Sequence, residues 1–140
     1  MAVAAAPAEG LTGRVLEAGE VELSMPYAPD WTQQDGFVHA GIITAGLDTA
    51  CGIAAFTLMP AGSDILTVEF KTNLLALAAG GRFAFRASVV KPGRTLTVCE
   101  ARAFAEADGA ESLIATMTGT LMALTRREPV KPQLAAGAAS

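Results

Sequence analysis

Asp48 is the one carboxylate in the run Ile42 to Ala55, where every neighbour is small or apolar. An acid there loses favourable hydration unless something uses its charge, and aspartate is a poor residue for a helix interior. Just before it, Gly36-Phe37-Val38-His39-Ala40-Gly41 opens the same run. The first turn of a helix leaves backbone N–H groups unpaired at the positive end of the dipole, so an oxyanion is favoured near Ala40 and Gly41. Small side chains leave that backbone approachable. The chemistry this pattern suits is attack on a carbonyl, with helix amides holding the developing negative charge and Asp48 acting as general base or nucleophile. Ala40 and Asp48 would lie about 12 Å apart along one helix and about 80° around it. They cannot meet at one reacting carbon, but two antiparallel helices across a dimer axis would set the amide of one subunit against the carboxylate of the other. Plainer readings compete: the entrance residues permit tight loop packing, and Asp48 is satisfied by Thr44 or Thr49. His39, the only histidine, takes a supporting role. Gln33 and Gln34 precede the entrance, where an amide can polarise a carbonyl or hold a water, although solvent exposure is the ordinary state of a loop glutamine.

The elements that position these residues follow from periodicity. Thr12 to Leu16 and Glu20 to Met25 flank Ala18-Gly19; Val21, Leu23 and Met25 alternate with Glu20, Glu22 and Ser24, the two-residue period of a half-buried strand. Pro26 to Gly36 is loop chemistry. Val38 to Leu58 runs without proline until Pro60-Ala61-Gly62-Ser63, which predicts a helix of roughly 30 Å, apolar nearly all round and therefore buried. Four strand-type segments follow: Ile65 to Leu75, Arg82 to Val90, Thr95 to Ala105 and Ser112 to Leu124. The turns between them carry Ala79-Gly80-Gly81, Lys91-Pro92-Gly93-Arg94 and Ala107-Asp108-Gly109. The fold class expected is α+β, an antiparallel sheet wrapped around one long central helix. Its open edge is a natural place for a second copy to continue the sheet.

Bulk properties narrow the function. With 140 residues the chain suits one core. We expect one domain over 11–127, with flexible tails at 1–10 and 128–140 that are rich in Ala, Pro and Gly. A net charge of −4 and ten dispersed Lys and Arg give no basic stripe for nucleic acid. Cys51 and Cys99 make no C-x-x-C pair and no cluster surrounds His39, so no metal is expected and a reducing compartment is. No run approaches the roughly 20 apolar residues of a membrane span, and Met1 to Pro7 lacks the basic start of a secretory signal. The expectation is a cytoplasmic protein with no membrane partner.

Together with Leu47-Asp48, the entrance motif and the segment Leu66-Thr67-Val68-Glu69-Phe70-Lys71-Thr72-Asn73-Leu74-Leu75 resemble the PaaI-type acyl-CoA thioesterases of the hotdog superfamily. Val90-Lys91-Pro92-Gly93-Arg94 and Ala115-Thr116-Met117-Thr118-Gly119-Thr120-Leu121 fit as well, so the likeness spans Leu11 to Leu124. The resemblance implies a hotdog fold, a homodimer with a shared sheet paired again into a homotetramer, and hydrolysis of an acyl-coenzyme A thioester without a cofactor. It places the oxyanion amide at Ala40 and the acid, acting from the other subunit, at Asp48. Gln33 would place the carbonyl or the water, and Thr67 would orient the attacking water. The family usually reads H-G-G, so Ala40 is a departure that keeps the N–H and adds a methyl group. Lys91 and Arg94 around Gly93 are the basic pair expected at the rim for the coenzyme A phosphates, with Gly41 keeping the helix entrance open. Two rival functions stand beside hydrolysis: a hotdog module that binds acyl-CoA without turnover, and a hotdog hydratase or dehydratase.

Overall fold

Strand alternation and one proline-free helical run build a single curved layer of sheet with a helix laid across it. The computed structural model describes residues 10–33 and 35–125. The tail expectations for 1–9 and 128–140, together with Gln34, Arg126 and Arg127, lie outside the described residues.

The order is β1 (Thr12–Glu17), β2 (Glu20–Pro26), a 3-10 turn (Pro29–Trp31), α1 (Ala40–Phe56), β3 (Ser63–Leu74), β4 (Arg82–Lys91), β5 (Leu96–Ala107) and β6 (Ala110–Thr125). All neighbours pair antiparallel in the spatial order β1-β2-β4-β5-β6-β3, which leaves β1 and β3 as the two edges. This is the hotdog arrangement expected from the sequence.

On the inner face of the sheet the large residues of β4 meet alanines on β5 and large residues on β2. Phe83 and Phe85 of β4 stand opposite Ala105 and Ala103 of β5, and opposite Met25 and Leu23 of β2. These side chains are fully or almost fully buried. Alternating size lets the helix settle close, and Gly46 is the closest point: a Cβ there would overlap the Phe85 ring. Cys51 and Cys99 are free, buried thiols, and burial pushes the Cys99 thiol up to about 11. The outer face is polar. There Arg86 of β4 bridges Glu22 of β2 and Glu111 of β6, at 2.8 and 2.6 Å, and lies over the Phe104 ring of the intervening β5.

Two expectations about the helix need correction. It spans Ala40–Phe56 rather than Val38 to Leu58. Val38 is held in extended pairing instead, bridging Thr32 and donating its N–H to Ala78 O at 3.1 Å. At the far end the Thr57 hydroxyl bonds back to Ala54 O and accepts the Gly19 N–H, tying the β1–β2 turn to the helix terminus. The helix is also buried on one side only, along Ile43, Gly46, Leu47, Ala50, Cys51, Ala54 and Ala55. One sheet layer covers one side of a cylinder, so the stripe Gly41, Ala45, Asp48, Gly52 and Phe56 is half-buried or exposed in the single chain.

Candidate functional site

The expected residues fall into three groups strung along the helix. The first is the helix start. His39 is the N-cap, with extended backbone at φ −56 and ψ 139, and no side chain caps the first turn. The Ile42 and Ile43 N–H groups both turn back onto His39 O, at 3.0 and 3.3 Å. The exposed Ala40 and Gly41 amides have no such partner among the described residues. Space is open around them, since a Cβ added at Gly41 would meet nothing within 4 Å. A cavity of about 460 Å³ opens beside this turn, with Gln33, His39 and Ala40 in its lining. Gln33 is fixed there by its backbone: its N–H donates to Phe37 O and its C=O accepts the Gly36 N–H. Gly36 closes that turn at φ +82, a conformation that favours glycine.

The second group is Asp48 with Thr67. Thr67 Oγ1 donates to Asp48 Oδ1 at 2.9 Å, joining the middle of α1 to β3. Of the two hydroxyls nearer in sequence, Thr49 is spent on Ala45 O at 2.8 Å. Asp48 is half-buried and does not line the cavity at the helix start. β3 bulges at Val68, just past Thr67.

The third group lies at the opposite end of the helix. Gly93 and Arg94 line a depression of about 540 Å³ with Leu58, Met59, Pro60, Pro92 and Ala123. Lys91 ends β4 beside them, and all three expected rim residues are exposed. Gly93 also answers a packing need, because a Cβ there would strike Leu96 O. A single chain therefore does not bring its helix start, its carboxylate and its basic turn together. Next to the outward stripe of α1, the edge strand β3 exposes Val68, Phe70 and Leu74. Monomeric proteins rarely leave so much apolar surface contiguous.

What the sequence did not flag is the rest of the cavity. Its walls are aliphatic and come from Val38, Ile43, Ile114 and the segment after β3. The only available signal was the unperiodic run Leu74-Leu75-Ala76-Leu77. Among the described residues no group of three or more His, Cys, Asp or Glu could hold a metal ion. No helix among them is long and apolar enough to cross a membrane.

Comparison with known proteins follows the same outline. The family model of the thioesterase superfamily matches residues 35–112, more than half of the chain. A protein of Saccharolobus solfataricus named as a candidate esterase is 36% identical over 94 residues, covering 67% of this chain and 66% of that one. The match thus spans just under two thirds of that relative's length. The crystal structure of a thioesterase family protein from Silicibacter pomeroyi superposes with a TM-score of 0.82 at 60% identity, covering 84% of this chain and 86% of the other. The BH2602 protein of Bacillus halodurans, whose crystal structure contains CoA, gives 0.73 at 26% identity, over 83% and 75% of the two chains.

Proposed function

We propose that this chain, which belongs to the thioesterase superfamily, hydrolyses acyl-coenzyme A thioesters at a site shared between two copies of itself. The observation that carries this reading is the pair of features on one helix: an uncapped, sterically open amide start, and eight residues on a carboxylate anchored by Thr67.

A two-fold axis passing at Thr44 would pair residue 40 of one helix with residue 48 of an antiparallel second helix. The outward stripe of Gly41, Ala45 and Gly52 has the small side chains such an approach needs, and the apolar edge of β3 runs alongside it. In this dimer the Ala40 N–H, with the helix dipole behind it, binds the thioester carbonyl oxygen as charge develops on it. Asp48 of the partner subunit activates a water for attack on the carbonyl carbon, or attacks directly. Collapse of the tetrahedral adduct expels the coenzyme A thiolate, which takes up a proton; the water route leaves the free acid at once, and direct attack leaves an acyl anhydride on Asp48 that a water then cleaves to the free acid and the carboxylate. Thr67 holds one carboxylate oxygen and leaves the other for the water. Gln33 places the carbonyl or the water, while His39 shapes the helix start as its N-cap. The same axis carries the far end of the second helix past this helix start. Coenzyme A phosphates then meet Lys91, Gly93 and Arg94 of the second copy.

The BH2602 crystal structure, with CoA present in a protein of the same fold, supports the choice of thiol. Thiol release from a panel of acyl-CoAs tests the reading. The parent is expected to release free thiol, and Asp48→Asn to lose at least about 10²-fold in kcat. Equal rates for the two, or acyl-CoA binding with no thiol released by either, would refute hydrolysis. Hydration of an enoyl-CoA in place of thiol release would point to the hydratase chemistry instead.

A further inference from the structure

We infer that the acyl group taken by this site is a straight, unfunctionalised aliphatic chain, lying in the cavity beside the helix start of the protomer whose Ala40 amide binds its carbonyl. The inference rests on the hydrolase reading and adds the substrate class to it.

The cavity, about 460 Å³, is within the range of small-molecule sites. Among the described residues Gln33 and His39 are the only polar side chains in its lining, and His39 directly precedes Ala40, where the thioester group belongs. The rest of the described lining is Val38, Ile43, Leu74, Leu75, Leu77 and Ile114, with alanines Ala76, Ala78 and Ala115. Part of the wall backbone is occupied as well: Ala78 O accepts the Val38 N–H, Leu77 O accepts the Ala79 N–H, and Ile114 O accepts the N–H groups of Leu75 and Ala76. A hydroxyl, amine or carboxylate carried down the acyl chain would lose water and meet no polar side chain among these residues, which costs heavily for a neutral group and more for a charge.

The walls also distinguish a chain from a ring. Among the described residues no aromatic side chain lines the cavity, so an aryl group gains no ring-on-ring contact from them. Val38, Ile43 and Ile114 form a buried floor, whereas Leu75 and Leu77 are 55 and 63% exposed along the rim. A buried floor with a raised apolar rim is a trough, and an extended chain can cover it one methylene at a time. The phosphates of coenzyme A find no cation among the described residues of this lining, so they belong on the other side of the carbonyl, toward Arg94 of the second copy.

The experiment measures kcat/KM by thiol release for straight-chain acyl-CoAs from two to twelve carbons, and for succinyl-, 3-hydroxybutyryl- and phenylacetyl-CoA. The expected result is a rise of about fourfold per added methylene until the trough is full, with phenylacetyl-CoA below octanoyl-CoA and the charged and hydroxylated thioesters lowest. Leu77→Asp, on the exposed rim, is expected to cut the octanoyl-to-acetyl ratio of kcat/KM by about tenfold or more. Leu77→Ala, a milder change, is expected to lower the same ratio in the same direction. Thiol release that favours succinyl-, 3-hydroxybutyryl- or phenylacetyl-CoA would overturn the inference and leave hydrolysis standing. A chain-length series without slope, or an octanoyl-to-acetyl ratio that neither Leu77 variant moves, would do the same. No thiol release from any substrate would overturn the hydrolase reading and the inference together.

Discussion

A carboxylate that activates water must hold one oxygen still and keep the other free, and the Thr67 hydroxyl on Asp48 Oδ1 meets the first requirement. Thr67→Val removes the donor at nearly constant volume. We expect kcat to fall about tenfold, the worth of one hydrogen bond to a charged group, with KM little changed because substrate binding is not touched. Thr67→Ser should recover most of the loss. An unchanged kcat, or a loss confined to KM, would remove Thr67 from the positioning of Asp48. The anomaly of Asp48 was legible in the sequence because a lone acid contrasts with its apolar neighbours. Its partner was not, since period and spacing offered Thr44 and Thr49, and only the resemblance singled out Thr67, 19 residues away on another element.

The helix can present its amides only where the sheet lets it lie, and Gly46 against Phe85 is the tightest point of that contact. Gly46→Ala gains intrinsic helix propensity, yet its methyl group would overlap the ring. Overpacking of this kind costs about 1–3 kcal/mol, so the urea midpoint should fall despite the better helix former. Phe85→Leu in the same chain should return part of the loss. A midpoint raised by Gly46→Ala alone would mean that the helix rides higher on the sheet than described. The proline-free run and the period-two strands made both element types legible, and with them the strand pair, helix, four strands order. The helix ends were misread by two residues each because tertiary bonds decide them: Val38 is drawn to Ala78 O and Thr57 to the β1–β2 turn. One-sided burial was equally beyond periodicity, which counts apolar residues on a helix but not the layers available to cover them.

Both edges of the sheet are open in one chain, and they are not alike. β3 shows Val68, Phe70 and Leu74 beside the outward stripe of α1, whereas β1 lies away from the carboxylate at the opposite edge. We expect Val68→Asp with Phe70→Asp to give a monomer by light scattering and to abolish turnover, and Leu16→Asp on β1 to do neither. Dissociation by the β1 variant alone would put the partner on the wrong edge. The need for a partner could be argued from sequence, because one helix cannot bring its own start and its own Asp48 to one atom. The aliphatic trough could not, because Leu74-Leu75-Ala76-Leu77 has no period and its floor comes from residues as distant in the chain as Val38 and Ile114. Catalysis across the dimer has a decisive test in two variants that are each defective in one half of the site. Ala40→Pro deletes the oxyanion N–H at the first helical position, where proline is well tolerated and the extended His39 before it is already compatible. Asp48→Asn deletes the base. Each alone should be nearly inactive, but the two unfolded together and refolded as an equal mixture should regain about a quarter of parent activity, since half the dimers are mixed and each holds one intact site of two. Thiol release that stays at the level of the separate variants, in a mixture shown to contain mixed dimers, would contradict a site built from two subunits.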